Sequence, residues 1–258
     1  MAADLPDRLV TEAAVAAPMT NLAETAFTFV EAIKAIDTAD SLLDVMRDAF
    51  GTFGFDHFVI ASLPRAGQAS RQAIHMHRVP AQWYDLYTRA NYMEHDPVVR
   101  HCRASVHPFE WKDVPIDLQA QPKAREVMTR AHDFRMEQGF CLPVHGIDGV
   151  DGCISLSGRD VELTPETKPA IHLMALYAFD RGREIARDKM RSTIQLSPRE
   201  IEILSFSASG YSASAIAKRL GITERTVTAH ITNACCKLDA SNKTQAVARA
   251  VQLRFVSV

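Results

Sequence analysis

A group of hydrogen-bonding side chains between residues 79 and 111 is the part of the sequence best suited to recognising a small molecule. It includes both tryptophans of the chain, Trp83 and Trp111, together with Tyr87 and Asp96. An indole N–H only donates, a phenol hydroxyl donates or accepts, and an ionised carboxylate only accepts. An apolar pocket with these few polar groups would suit a ligand that carries an amide and a carbonyl.

The same spacing also permits a purely structural interpretation. Trp83 and Tyr87 are four residues apart and therefore share one helix face, so these rings and Trp111 could be core aromatics. Asp96 directly precedes Pro97, and an aspartate followed by proline at the first helical position is a typical helix N-cap. Spacing alone leaves both interpretations open.

The region over residues 22–188 has the pattern of an α+β domain. Helical spacing of apolar residues occurs over 26–35, 41–50, 81–90, 97–104, 122–134 and 165–187. Strand patterns occur over 57–63, 72–78, 139–145 and 152–157. In the first strand Val59, Ala61 and Leu63 share one face. Strands flanked by helices on both sides predict an α/β/α sandwich around an antiparallel sheet.

The region over residues 196–258 has the signals of a four-helix helix-turn-helix module. Residues 197–200, Ser-Pro-Arg-Glu, combine an N-cap hydroxyl, a proline at the first helical position and a glutamate at the third. Two short helices joined by a glycine turn match the helix-turn-helix plan, whose second helix enters the major groove of DNA. The further expected caps and helix ends are Ser212, Thr223, Gly210 and Gly221.

The third helix of this module divides into two faces. The residues that recur at i, i+4, i+7 and i+11, and so should face the core, are Val227, Ile231, Ala234 and Leu238. The residues expected to face outward are Arg225, Thr228, Thr232, Asn233 and Cys236. The alternative is an ordinary amphipathic helix in a small bundle, which would not explain the caps and glycine spacing together.

Charge is divided unequally along the chain, which has 29 basic and 31 acidic residues in all. From Leu196 onward there are eight basic and four acidic residues, so this region carries +4 and the rest carries −6. A basic module on an acidic body suits contact with DNA phosphates through one end. Because one weakly basic module binds DNA weakly, we expect a dimer that reads two half-sites roughly 34 Å apart.

Composition excludes several other classes of protein. No apolar run approaches the ~20 residues that span a membrane. Residues 1–21 are Ala-rich, include acidic residues and lack a secretory signal, so we expect a mobile tail. Residues 189–195 are the expected linker. The five cysteines, without CxxC spacing, indicate free thiols and a cytoplasmic protein.

An enzyme is the main alternative from a different class. Cys141 or Ser155 with a histidine could form a nucleophilic pair, and His101, Cys102 and His107 could hold a metal. The sequence has no nucleophile elbow, HExxH or CxxC motif. We therefore predict no catalytic residue, no metal site and no cofactor.

Taken together, these motifs resemble the LuxR-type quorum-sensing transcription regulators over residues 27–253, with both domains in the family's order. The block from Trp83 through Tyr87 and Asp96-Pro97 to Trp111 resembles the family's acyl-homoserine-lactone signature. The residues that match other family positions are Gly139, Glu200, Leu204, Gly210, Thr226, Val227 and His230.

The resemblance implies a role for each pocket residue toward an N-acyl-homoserine lactone. Trp83 would donate to the lactone carbonyl, Tyr87 would bond the acyl carbonyl, and Asp96 would accept from the amide N–H. Trp111 would pack on the lactone ring, and Ser155 would add a hydroxyl near the amide. The other implied ligand-binding residues are Val59, Ala61, Leu63, Val79, Pro97, Val98 and Gly139.

The resemblance also implies the macromolecular partners. These are duplex DNA with an inverted-repeat promoter site, a second copy of the chain bound through helix 165–187, and RNA polymerase. Thr228 and Thr232 match positions from which relatives reach base edges. The other expected DNA-binding residues are Lys218, Arg219, Arg225, Thr226 and Lys237.

One position departs from the family pattern. Many relatives carry a tyrosine where this chain has Val79, and small Ala61 also leaves room, so we expect a branched, aromatic or otherwise unusual acyl chain. The alternatives are a regulator of the same fold that answers a non-lactone signal or none, and an antagonist that forms heterodimers. The intact recognition helix argues against the antagonist.

The resemblance also suggests how a ligand would act. Without one, Trp83, Tyr87 and Asp96 would be buried without partners, at about 1–3 kcal/mol each. Ligand binding would then order the domain for dimerisation.

Overall fold

The computed structural model describes residues 8–63, 74–117, 119–146 and 149–257. The chain forms two compact units, Met1–Ile185 and Ala186–Val258. None of the helices in the described ranges has the length and apolar character needed to cross a bilayer.

The first unit contains a five-stranded sheet and the helices around it. Its helices are α1 (Arg8–Lys34), α2 (Ala39–Gly51), α3 (Ala81–Arg89), α4 (Pro97–Ala104), α5 (Pro122–His132) and α6 (Thr167–Thr193), the last of which continues into the second unit. Its strands are β1 (His57–Ser62), β2 (Ile74–Arg78), β3 (Phe109–Glu110), β4 (Gln138–Gly146) and β5 (Gly149–Gly158). Short 3₁₀ turns cover Tyr92–Glu94 and Trp111–Asp113.

The sheet has the strand order β2-β1-β5-β4-β3, and every neighbouring pair is antiparallel. One face packs against α2 and α6, and α1 packs on α2. On that face the Phe50 ring of α2 lies 5.9 Å from the Phe58 ring of β1, and a Cβ on Gly182 of α6 would lie 2.8 Å from Ile60.

The opposite face of the sheet is covered by other helices. Cys102 and Val98 of α4 share a buried cluster with Ala61, Cys141 and Cys153 of the strands. The predicted α/β/α sandwich around an antiparallel sheet is therefore confirmed.

Three features of the fold differ from the sequence prediction. Helix α1 covers Arg8–Lys34, so residues 8–21 are helical where a mobile tail was expected; this stretch is alanine-rich, and alanine is the strongest helix former. Helix α6 continues to Thr193 through most of the expected linker 189–195. Strand β3 was not predicted, because two residues are too few to show an alternating pattern. Residues 72–73 of the second predicted strand lie outside the described residues.

The second unit contains the four short helices that the sequence predicts. They are α7 (Pro198–Ala208), α8 (Ala213–Leu220), α9 (Glu224–Lys237) and α10 (Lys243–Gln252). Ser197 and Glu200 form a reciprocal capping box, and Ser212 and Thr223 cap α8 and α9 through their hydroxyls. Gly221 ends α8 in the left-handed conformation, at a φ of 65°.

The core of this unit agrees with the face assigned to α9. Val227 and Ala234 are fully buried and Leu238 is 1% exposed, while Ile231 packs at the edge of the cluster around Ile203 and Ile216.

A buried ion pair joins α7 to α9. The Lys237 ammonium lies 2.8 Å from Glu200 Oε2, and Glu200 is only 3% exposed. Burial opposes ionisation of Glu200, but the Lys237 charge and the Ser197 N–H outweigh it and lower the pKa of this carboxyl below its usual value. Lys237, which we expect at the DNA, therefore also holds two helices together.

We predict that Glu200→Gln weakens the second unit by about 1–3 kcal/mol, because it removes a charge-assisted bond from a buried site. A carboxyl whose pKa is lowered on folding stabilises the protein above its unfolded pKa and loses that effect as pH falls through the folded pKa. The loss of protection on acidification below about pH 4.5 should therefore be smaller in the variant. Hydrogen exchange of α7 and α9 amides in the full-length chain measures both effects.

The control is Glu202→Gln, whose carboxyl pairs with the partly exposed Arg199 guanidinium at 2.6 Å. Partly exposed pairs contribute little, about 0–1 kcal/mol, so this variant should keep nearly the parent protection. Equal exchange in the two variants would contradict a structural role for the Glu200 carboxylate.

Candidate functional site

A cavity of about 90 Å³ lies against the sheet face beneath α3, α4 and α5. Ten of the twelve residues predicted to bind a ligand line it: Val59, Ala61, Leu63, Val79, Trp83, Tyr87, Asp96, Val98, Trp111 and Ser155. Pro97 and Gly139 are not among the lining residues. Pro97 is instead the buried first residue of α4, and Gly139 lies beneath Trp111.

The floor of the cavity is one row of side chains across four strands. His77 of β2 pairs with Val59 of β1, Val59 pairs with Ser155 of β5, and Ser155 pairs with Cys141 of β4. All four line the cavity. Directly paired residues of an antiparallel sheet point to the same face, so the register of the sheet determines the floor.

The two oxygens of Asp96 have different partners. Oδ1 accepts from the backbone N–H groups of Val98 and Val99, at 2.8 and 3.4 Å, and so caps helix α4. Oδ2 accepts from the Tyr87 hydroxyl at 2.7 Å. Burial raises the pKa of Asp96, an effect that these bonds oppose, and burial together with the Asp96 charge raises the pKa of Tyr87.

This pair combines the two interpretations that the spacing left open. Asp96 is an N-cap and also a wall of the cavity. The expectation that Asp96 and Tyr87 would be unpartnered without a ligand is wrong, because each satisfies the other.

The unpartnered groups in the cavity are others. Trp111 Nε1 and His77 Nδ1 are buried and have no hydrogen-bond partner among the residues that the structure describes. Burial lowers the pKa of His77, and its ring stacks on Tyr84 with centroids 4.0 Å apart. A buried donor without a partner costs about 1–3 kcal/mol, so an acceptor on a ligand would stabilise Trp111.

Gly139 explains where the Trp111 indole lies. A Cβ at position 139 would overlap the indole ring, including its nitrogen. Only a residue without a side chain allows the ring to lie against β4 there. Gly139 therefore positions a cavity wall and does not itself line the cavity.

A cluster of aromatic rings packs against Tyr87, the partner of Asp96. The Trp83 ring lies 5.5 Å from Tyr87, 6.1 Å from Tyr92 and 5.6 Å from Phe134. The Tyr92 hydroxyl donates to Glu126 at 2.6 Å, and burial together with this bond raises its pKa to about 12. Tyr92 does not line the cavity, although it is close to Trp83 in space and sequence.

Sequence reasoning missed twelve lining residues: Ile74, His77, Tyr84, Met93, Val99, Val127, Met128, Ala131, Met136, Cys141, Cys153 and Ser157. Some could have been found from alternation, because Cys153 and Ser157 flank Ser155 at a spacing of two. The residues of α5 carry no such signal, since their position depends on how this helix packs.

The surface of α8 and α9 presents most of the residues predicted to contact DNA. Lys218, Arg225, Thr228 and Thr232 are exposed. Arg219 is also exposed, but it donates to the Tyr211 hydroxyl at 3.0 Å and lies over the Phe206 ring. Thr226 is partly buried, and its hydroxyl lies 2.8 Å from that of Thr223.

The hydroxyls of the two exposed threonines of α9 donate along their own helix. Thr228 donates to the Glu224 carbonyl and Thr232 to the Thr228 carbonyl, each at 3.0 Å. Their oxygens retain lone pairs, and these can accept from a base edge.

Comparison with known proteins agrees with this geometry. Residues 38–182 match the autoinducer binding domain family, and residues 194–250 match the LuxR family of bacterial regulatory proteins. The chain belongs to the LuxR family. It is a transcriptional regulator and not an enzyme, and its partners are DNA and a small signal molecule rather than a cofactor.

Curated relatives align over nearly the full length. The transcriptional activator protein BjaR1 of Bradyrhizobium diazoefficiens is 41% identical over 90% of this chain and 96% of its own length. The quorum sensing-dependent regulator RpaR of Rhodopseudomonas palustris is 38% identical over 90% and 94%. The crystal structure of Escherichia coli SdiA shares the fold, with a TM-score of 0.65 and 20% identity over 90% of this chain and 98% of that one.

We predict that Gly139→Ala lowers the free energy of unfolding of the first unit by about 1–3 kcal/mol, because the rigid indole must move to admit the methyl group. Both tryptophans of the chain belong to the first unit. Urea unfolding followed by tryptophan fluorescence therefore reports on this unit.

The matched control is Gly51→Ala at the end of α2, where a Cβ would meet nothing within 4 Å. This variant should be as stable as the parent or slightly more stable, since alanine favours helix over glycine. Parent-like unfolding and emission of Gly139→Ala would show that the indole does not depend on this glycine.

Proposed function

We propose that this regulator senses an N-acyl-homoserine lactone, binds an inverted-repeat promoter site as a homodimer and activates transcription through RNA polymerase. The observation that carries the proposal is the Tyr87–Asp96 pair at the wall of an apolar cavity. A carboxylate that only accepts, beside a phenol that can also donate, suits the amide N–H and acyl carbonyl of such a ligand.

Asp96 is the residue to which we assign the amide N–H. Oδ1 is used by the two backbone groups of α4, while Oδ2 has one partner, the Tyr87 hydroxyl. An ionised carboxylate oxygen only accepts hydrogen bonds, so Oδ2 can accept from the ligand N–H. The Tyr87 hydroxyl can turn toward the acyl carbonyl when the ligand N–H replaces it on Asp96.

The remaining assignments place the lactone ring near the two indoles. Trp83 would donate to the lactone carbonyl, and Trp111 would pack on the ring. Its buried, unpartnered Nε1 adds a donor that the ring or a carbonyl of the ligand can use.

The acyl chain would extend along an apolar part of the cavity wall. Val59, Ala61, Leu63 and Val79 line this space without polar groups of their own. Because position 79 carries valine where the family resemblance leads us to expect tyrosine, and alanine is small at 61, we propose an acyl chain that is branched, aromatic or otherwise unusual.

The proposed response couples this cavity to DNA. A ligand that binds only the folded first unit stabilises it by mass action, by about 2.7 kcal/mol at a hundredfold excess over Kd. The stabilised unit would dimerise through α6, and the dimer would present two α9 helices to half-sites roughly 34 Å apart. Arg225, Thr228 and Thr232 would contact DNA in each half-site.

We predict that Asp96→Asn loses about 1–3 kcal/mol of lactone-binding free energy. Asparagine is as good an N-cap as aspartate, so α4 should remain capped while the acceptor that faces Tyr87 becomes a donor. The measurement is the rise in melting temperature with added lactone, which should be smaller in the variant than in the parent.

A pair of tyrosine variants controls for general damage. Tyr87→Phe should also weaken the lactone response, whereas Tyr92→Phe should leave it unchanged, because the Tyr92 hydroxyl binds Glu126 and Tyr92 does not line the cavity. A parent-like lactone response in both Asp96→Asn and Tyr87→Phe would contradict the proposed recognition.

We predict that DNA binding depends on half-site spacing. The test uses an operator selected from random DNA. Inserting about five base pairs, half a helical turn, between its half-sites should reduce affinity at least about tenfold, because one recognition helix then no longer faces the major groove of its half-site. Inserting about ten base pairs should restore part of it. Gel-shift affinities that do not change with spacing would contradict a dimer on two half-sites.

A further inference from the structure

We propose that Cys102, Cys141 and Cys153 form a three-thiolate site for a soft, three-coordinate metal ion of the Cu(I) type. The Sγ atoms of these cysteines all lie within 4.8 Å of one another, and all three residues are buried. We call this group the thiol triad. Sulfurs bound to one metal at about 2.3 Å each lie roughly 4 Å apart, which this spacing allows.

The fold brings the triad together from distant parts of the chain. Cys141 pairs with Ser155, and Cys153 pairs with Pro143, so the two cysteines are diagonal neighbours on adjacent strands. Cys102 lies on α4, which packs onto β4 in the same buried cluster. No local sequence motif such as CxxC predicts this arrangement.

The donor set selects the class of ion. Within the described residues, the side chains that come together here are cysteines alone, without histidine, aspartate or glutamate. Thiolates prefer soft ions such as Cu(I) and Zn(II) over ions that bind oxygen. Structural zinc almost always takes four protein ligands, whereas the triad offers three, so the geometry favours Cu(I).

The other metal site considered from the sequence, formed by Cys102 with His101 and His107, is not among the clusters of the described residues. His101 instead meets the Phe109 ring edge-on, with centroids 4.5 Å apart.

Two of the three triad residues border the cavity. These are Cys141 and Cys153, whereas Cys102 is fully buried and does not line the cavity. Metal binding must displace thiol protons, so the apparent affinity should rise with pH. Helix α4 carries both Cys102 and the Asp96 cap, so a bound ion would tie the Asp96 helix to β4 and β5.

The experiment is an anaerobic Cu(I) titration of the full-length chain against a coloured Cu(I) chelator. Cys235→Ser and Cys236→Ser are first combined, which leaves the triad as the only cysteines of the sequence. We expect this chain to take one Cu(I). A lost direct ligand should cost more than the roughly 10- to 100-fold loss seen for outer-shell partners, so Cys102→Ala should bind more than about tenfold more weakly.

Cys141→Ala and Cys153→Ala test the other two ligands in the same background. Each variant is compared by thermal unfolding, and only those that fold like the parent are titrated. Where one does not fold, the serine variant replaces it.

The outcomes separate the proposal from ordinary packing. Buried cysteines often act only as small apolar residues, and no removal of Cu(I) from the chelator would show that this is so here. Uptake that survives replacement of all three, or tighter binding of Zn(II) than of Cu(I), would also overturn the proposal. The readout uses no lactone and no DNA, so its failure leaves the proposed function untouched.

Discussion

The carboxylate of Asp96 is the constraint on which the first unit depends. Its Oδ1 caps the N-terminus of α4, and its Oδ2 accepts from the Tyr87 hydroxyl at 2.7 Å. A buried carboxylate is costly unless its oxygens are hydrogen-bonded, so both contacts are needed to keep it at the cavity wall. Because the Oδ2 contact is to a hydroxyl that can rotate, the same group can stabilise the helix permanently and recognise a ligand reversibly.

The sheet places the other walls relative to this carboxylate. The sheet face that packs against α2 and α6 holds fully buried rings such as Phe58, and the alternation of β1 puts Val59 and Ala61 on the opposite face, at the cavity. The indole of Trp111 completes the wall only because position 139 carries no side chain. Rigid strands and a missing Cβ thus position the aromatic groups, which is how a binding site is held in shape before its ligand arrives.

Periodicity and capping residues were enough to predict the sandwich and the four short C-terminal helices, and the family resemblance implied ten of the residues that line the cavity. They were not enough for features that depend on tertiary packing. Gly139 was predicted at the ligand because it matches a family position, but the structure puts it beneath Trp111. No local pattern indicated that the ammonium of Lys237, a residue predicted at DNA, would bind a buried glutamate 37 positions earlier. The thiol triad joins residues up to 51 positions apart, from Cys102 to Cys153, and no spacing rule covers such a group.

The most direct test of the account is a thermodynamic cycle measured by calorimetry. The lactone and an analogue in which an ester oxygen replaces the amide N–H are each titrated into the parent chain and into Asp96→Asn. If Asp96 accepts from that N–H, the parent should bind the ester more weakly by about 1–3 kcal/mol, and the variant should bind both ligands within roughly 0.5 kcal/mol of each other. The same penalty for the ester in both proteins would contradict the role assigned to Asp96.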